Sequence, residues 1–325
     1  FLKYPKDSAG SIMTIEYVSL RETSTVREAF DHIRTAGIDK ETIYTCYVTD
    51  REGHLLGAVS ARALMLASPD DPIGAIMNSN IISASTSEDR ENLTNDFRKY
   101  GLLAMPVVDN ENRLVGIVTV DDAIAVQEEE ATEDFELMAA MSPSDEPYLK
   151  MGAFELAKKR VLWLLLLMLS ATVTGSIIAS FEDALAMIPA LVAFIPMLMD
   201  TGGNSGSQSS TLIIRGMAIE EISLPDVWVV LWKELQVALI CGAVLAAANF
   251  MRVTLINRDA VLAMTVSLAI YATVIMAKTV GCLLPMVAKK LTLDPAVMAS
   301  PVITTIVDAG ALFIYFRIAK AVLRI

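Results

Sequence analysis

The chain has 325 residues, 54% of them hydrophobic, with 38 acidic residues against 26 basic ones and three cysteines. The charge is split: residues 1–157 hold 13 Lys and Arg against 28 Asp and Glu, a net of −15, while residues 158–325 hold 13 against 10, a net of +3. That division excludes a single soluble core, makes cations rather than nucleic acid the partners of the first half, and leaves no case for a disulfide framework or thiolate metal site among the distant Cys46, Cys241 and Cys282.

The chain opens on Phe1 with a first apolar run too short and mixed for a signal peptide, so a missing N-terminal portion is expected. Residues 12–67 then alternate strand-like and amphipathic helical segments, and residues 76–128 do the same. The turns Asp50-Arg51-Glu52-Gly53 and Asp109-Asn110-Glu111-Asn112 fall in matching places. The period is roughly sixty residues. In each unit an Ile-Met pair precedes a helix, then Val-x-Asp, a turn, and Leu-x-Gly-x-Val-Thr/Ser. This pattern resembles the CBS-domain pair, which implies two α+β units, about 8–67 and 73–128, packed as one body. CBS pairs commonly hold adenine nucleotides through a Gly-x-x-Thr/Ser-x-x-Asp segment. The resemblance places that role on Gly116, Thr119 and Asp122 of the second unit, with ATP as a regulatory ligand. The first unit offers Gly57 and Ser60 but Ala63 in the third place. The other reading of Thr119 and Asp122 is that they cap and begin a helix.

The next segment, residues 129–157, is read as an acidic connecting helix. Glu128, Glu129, Glu130, Glu133 and Asp134 crowd into two helical turns, where like charges repel unless neutralised. Such a run is either a solvated helix face or a cation sensor.

Val161–Phe181 is uncharged over 21 residues behind Lys158-Lys159-Arg160, enough to cross a hydrocarbon core of about 30 Å with a basic cytoplasmic anchor. Ala184–Ile214 reads as one long helix kinked at Pro189, Pro196 and Gly202-Gly203. Its Gly-rich run is expected to free backbone carbonyls beside Asn204, Ser207, Gln208 and Thr211. Further spans are expected near residues 228–251, 260–286 and 297–323. Residues 158–325 would then form an all-α polytopic membrane domain of five transmembrane helices. Charges inside such spans are costly and each is a functional hypothesis. Asp308, among small and hydroxylated residues of the last span, leads; pairing with Lys278 is its structural alternative. Asp200 opens the Gly-rich break and stands either among those oxygen groups or at a membrane edge, capping a half-helix; the sequence leaves its role open.

The order of CBS pair, acidic connecting helix and five spans, with "FIPMLMDTGGNSGSQSSTLIIRG" in the second span and "SPVITTIVDAGALFIYF" in the fifth, resembles the MgtE family of magnesium channels. The resemblance covers essentially the whole chain and implies a homodimer in a bacterial inner membrane, CBS domains cytoplasmic, with one axial Mg²⁺ pore lined by the second and fifth spans of both copies. It places the pore carboxylate on Asp308, a backbone carbonyl ligand on Thr304, and polar lining on Ser300, Ser207, Thr211 and Asn204. It also places regulatory metal ligands on Glu130, Glu133 and Asp134, with Asp121 and Asp122 nearby. Mg²⁺ prefers six oxygen ligands and sheds water reluctantly. The membrane half has no His, since His32 and His54 both lie earlier, so Zn²⁺- or Cu⁺-type sites are not expected there. Mn²⁺, Co²⁺ or another solute is the alternative cargo. An intramembrane metalloprotease would need His-Glu-x-x-His, which is missing, and no enzyme activity is expected.

Overall fold

The computed structural model describes residues 4–144 and 146–324. It divides into two units between Ala131 and Thr132, each described by itself.

The first unit carries the repeat seen in the sequence. Its elements are α1 (Ala9–Ile12), β1 (Ser19–Arg21), α2 (Val26–Ala36), β2 (Thr45–Thr49), β3 (Leu55–Ser60), α3 (Ala61–Leu66) and α4 (Ile73–Ile76). Then come β4 (Ala84–Ser85), α5 (Arg90–Tyr100), β5 (Ala104–Val108), β6 (Leu114–Thr119) and α6 (Val120–Met138). Both sheets have three strands in chain order, the first pair parallel and the second antiparallel.

Local chemistry explains the punctuation. Thr25 and Glu28 form a reciprocal capping box at the start of α2. Asp89 caps α5, which ends at Gly101 with φ +62°, a left-handed conformation that glycine adopts without a Cβ penalty. Both hairpins turn on an aspartate. Asp50 Oδ1 accepts from the backbone N–H of Glu52 and His54, and Asp109 Oδ1 from those of Glu111 and Arg113, all at 2.9 Å. The two turns are also tied together: Leu55 N–H donates to Asn112 O and Leu114 N–H to Gly53 O, each at 3.0 Å. Beneath them Tyr47, Leu55, Val108, Leu114 and Ile117 form one buried cluster shared by both repeats, each large aliphatic contributing about 1.5–3 kcal/mol by burial.

The second unit is helical: α7 (Ala153–Ser180), α8 (Glu182–Met187), a 3₁₀ turn over Pro189–Phe194, α9 (Ile195–Ala218), α10 (Val227–Asn257), α11 (Ala260–Lys290) and α12 (Ser300–Leu323). Among the described residues four stretches are long and apolar enough to cross a membrane: Ala153–Ser180, Leu224–Asn257, Ala260–Lys290 and Pro295–Leu323. The second expected span, α9, is the one left out: it has 24 residues, or about 36 Å at helical rise, but its Gly/Ser run makes it too polar to count by composition.

Three expectations are corrected. Ala184–Ile214 is not one kinked helix: α8, the 3₁₀ turn and α9 are separate, because Pro189 and Pro196, which lack an N–H, sit in the first turns of new helices. The Gly-rich run does not free carbonyls either; α9 is continuous through it. Its glycines serve close packing. A Cβ on Gly203 would meet Thr304 Cγ2 at 2.9 Å, and one on Gly202 would meet Val307 Cγ1 at 2.9 Å, so α9 lies against α12 at a spacing a larger residue forbids. The acidic run likewise differs in extent: α6 starts at Val120 inside the second repeat and ends at Met138, and none of the described residues between 139 and 152 is helical.

Candidate ion path and regulatory sites

The close approach of α9 and α12 creates the candidate ion path. A cleft of about 200 Å³ is lined by Met199, Asp200, Gly203, Asn204, Thr304 and Asp308. Two carboxylates, an amide and a hydroxyl thus meet over the glycine contact that brings the helices together. Asp308, Thr304 and Asn204 are expected there from the sequence; Asp200, whose place the sequence leaves open, lines the same cleft. The signal that could have found it is periodicity. Asp200, Asn204, Ser207 and Thr211 recur at intervals of four, three and four, which is one face of a helix. Toward the end of that face Ser207 Oγ lies 2.9 Å from Ser300 Oγ, joining the two helices again. Thr211 is exposed one turn further on and does not line the cleft. Asp200 and Asn204 are exposed and Asp308 is half-buried, so in one copy of the chain the cleft is open on one side.

The cleft is held from behind. Ser210 Oγ donates to Met298 O at 2.9 Å ahead of α12, and Tyr315, fully buried, donates to Leu191 O at 3.0 Å. Thr304 donates its own hydroxyl to Pro301 O at 3.0 Å, which leaves its side chain turned back along α12. Lys278 pairs with Glu234, at 3.9 Å, rather than with Asp308.

In the first unit, Gly116 sits where a Cβ would collide with Met13 Sδ at 2.7 Å and Thr14 O at 2.9 Å, so the β6 backbone runs directly under the chain entering the first repeat. Thr119 is buried, and its Oγ1 donates to Asp122 Oδ2 at 3.0 Å. The bond joins the residue just ahead of α6 to one in its first turn, side chain to side chain. It also presents the hydroxyl and carboxylate together at a helix start, the geometry that phosphate and ribose recognition uses. Asp121, exposed beside it, is held below the usual carboxylate range by the Thr119 hydroxyl and then by N–H groups of the helix start, so it is ionised at neutral pH.

The acidic run has an internal cation that sequence reading missed. Arg90 Nε reaches Glu130 Oε1 at 2.8 Å, its Nη1 reaches Glu129 Oε2 at 3.0 Å, and Asp7 lies 3.7 Å away. Glu133 and Asp134 follow Glu130 by three and four residues on α6 and therefore share its face.

Comparison with known proteins agrees with this organisation. The family model described as a divalent cation transporter, MgtE, matches residues 195–318, and CBS domains match 9–70 and 73–129. A magnesium transporter MgtE of Thermus thermophilus is 40% identical over 323 residues, 99% of this chain and 71% of that protein. One of Bacillus subtilis is 36% identical over 98% of this chain and 70% of that protein. The chain belongs to the MgtE family. Among solved structures, the cytosolic domain of the Mg²⁺ channel MgtE in complex with ATP is 44% identical, covering 38% of this chain and 50% of that one, at a TM-score of 0.38 that supports no argument from shape. Membership accounts for the pairing of a CBS module with an apolar helical unit, and it makes the chain a membrane protein.

Proposed function

We propose that two copies of the chain form one axial pore that carries Mg²⁺ across a bacterial inner membrane, with the CBS units on the cytoplasmic side and α9 crossing as the second of five spans. The observation that carries this reading is the cleft where Asp308, Asp200, Asn204 and Thr304 converge at the glycine contact of α9 and α12. Its open side is closed by the partner copy, which doubles the carboxylates around the path. Mg²⁺ keeps most of its water in such a site, so oxygen groups that grip a hydrated ion suit it, and a ring of carboxylates excludes anions.

Cytoplasmic Mg²⁺ closes the pore by binding the carboxylates of α6, Glu130, Glu133 and Asp134, with Asp121 and Asp122. An ion shifts an open–closed equilibrium only by its differential affinity, and several such sites acting jointly supply the ~1–3 kcal/mol typical of coupling. An adenine nucleotide at Gly116, Thr119 and Asp122 modulates the same module.

The test is Mg²⁺ flux into liposomes holding the purified full chain. Asp308→Asn should abolish selective flux while the protein keeps the mass of a dimer in detergent; normal selective flux in that variant overturns the assignment. Neutralising Glu130, Glu133 and Asp134 together should leave flux running at high internal Mg²⁺. Closure at the wild-type concentration would reduce that run to a solvated face.

A further inference from the structure

Beside the pore face, α9 carries a second polar system, whose Lys278 lines a neighbouring cleft with Asp200, Asn204 and Gln208. Lys278 of α11 and Glu234 of α10 are nearly buried, with side-chain exposures of 6% and 13%, and their charged atoms stand 3.9 Å apart in the apolar unit. Ser209 of α9 sits between them. Its hydroxyl donates to Glu234 Oε2 at 2.5 Å and accepts from Lys278 Nζ at 3.3 Å. The directions are consistent, since one ammonium proton and one hydroxyl proton make a chain from cation to anion through a single oxygen. Two charges in an apolar interior cost several kcal/mol unless paired and hydrogen-bonded, and an apolar trio would often be as stable. Stability alone is a weak reason for such a trio.

Its location supplies another reason. Ser209 follows Asn204 by five residues, about 140° around the helix, so it is turned away from the side on which Asp200 and Asn204 line the α9–α12 cleft. One turn away, α9 and α11 touch at Gly206 and Gly281, where a Cβ on Gly281 would collide with the Gly206 carbonyl oxygen. A contact between glycines brings two helices close but has little to fix their rotation. A bridged ion pair reaching α9 from two different helices fixes it.

We infer that Glu234, Lys278 and Ser209 are positioning residues for ion transport: they set the rotation of α9, and with it where Asp200, Asn204 and Ser207 stand in the path. This rests on the reading that the α9–α12 cleft conducts. A small rotation displaces three ligating groups at once, so the discrimination between Mg²⁺ and a slightly larger divalent ion such as Mn²⁺ should be the most sensitive property.

The experiment measures Mg²⁺ and Mn²⁺ flux in liposomes for the full chain. Ser209→Ala, which keeps both charges, should change the Mg²⁺:Mn²⁺ flux ratio at least threefold, and Ser209→Thr should restore it. Lys278→Met should cut Mg²⁺ flux at least tenfold, and the exchanged pair Glu234→Lys with Lys278→Glu should recover a substantial part. If folded Ser209→Ala keeps the wild-type ratio, or loses flux to both ions equally with less folded protein, the trio is only structural and the inference falls. Asp308→Asn in the same membranes separates the two readings: normal flux there removes the pore assignment, whereas a silent Asp308→Asn beside an unchanged Ser209→Ala ratio removes only the positioning role.

Discussion

Arg90 Nε lies 2.8 Å from Glu130 Oε1, so the acidic run of α6 begins with a cation supplied by α5. A divalent ion arriving at Glu130 must compete with that guanidinium. Arg90→Met removes the competitor and leaves the carboxylates in place. A half-buried pair of this kind is worth about 1 kcal/mol, or about fivefold in affinity. The internal Mg²⁺ concentration that halves flux should therefore fall about fivefold in Arg90→Met. An unchanged or raised concentration would show that Glu130 does not bind the closing ion.

Gly203→Ala tests the helix contact under the cleft. The added Cβ would stand 2.9 Å from Thr304 Cγ2 and 3.4 Å from Thr304 Cβ. Thr304 has little room to turn, because its hydroxyl is bonded to Pro301 O. The helices must part instead, at a cost of about 1–3 kcal/mol. Thermal unfolding should show that loss, and removing the opposing side chain in a Gly203→Ala, Thr304→Ala double variant should return most of it. Additive losses in that cycle would mean the two residues do not meet.

Nucleotide binding is tested at Asp122. Calorimetric titration of the full chain with ATP should give saturable binding that Asp122→Ala weakens at least tenfold. If wild type and variant bind alike, or neither binds, the Thr119–Asp122 bond only orders the start of α6.

The repeat was legible because hairpin turns and helix caps are local chemistry: Asp50 and Asp109 announce their turns within four residues. The apolar helices α7, α10 and α11 were legible from length and hydropathy. Contacts between distant segments were not. Arg90 lies 40 residues from Glu130 and Glu234 lies 44 from Lys278, and nothing in either neighbourhood names the other. The Gly-rich stretch of α9 misled for a physical reason as well: glycine weakens an isolated helix, but against α12 and α11 the missing Cβ is what lets the helices pack, and packing outweighs propensity. The same step left the place of Asp200 open, since reading a break at Gly202-Gly203 hides the helical face it shares with Asn204.

The last prediction concerns acid stability of the first unit. Asp50 accepts two backbone N–H bonds and lies 2.8 Å from His54 Nδ1, and the bond to His54 is the main reason its carboxyl is lowered to about 2. In an unfolded chain an aspartate titrates near 3.9. A carboxyl whose folded pKa is depressed adds stability that is complete above the unfolded value and is lost as pH falls through the folded one. The Asp50 contribution should thus be full above about pH 4 and vanish by about pH 2. Asp50→Asn keeps a side-chain oxygen for the turn but has no charge to lose. It should lower stability at neutral pH and make the decline between pH 4 and pH 2 shallower, read as the urea midpoint of the sheet-rich signal across that range. A variant curve parallel to wild type would show that other carboxylates, such as Asp109, whose turn has the same form and whose carboxyl is also lowered, dominate acid unfolding.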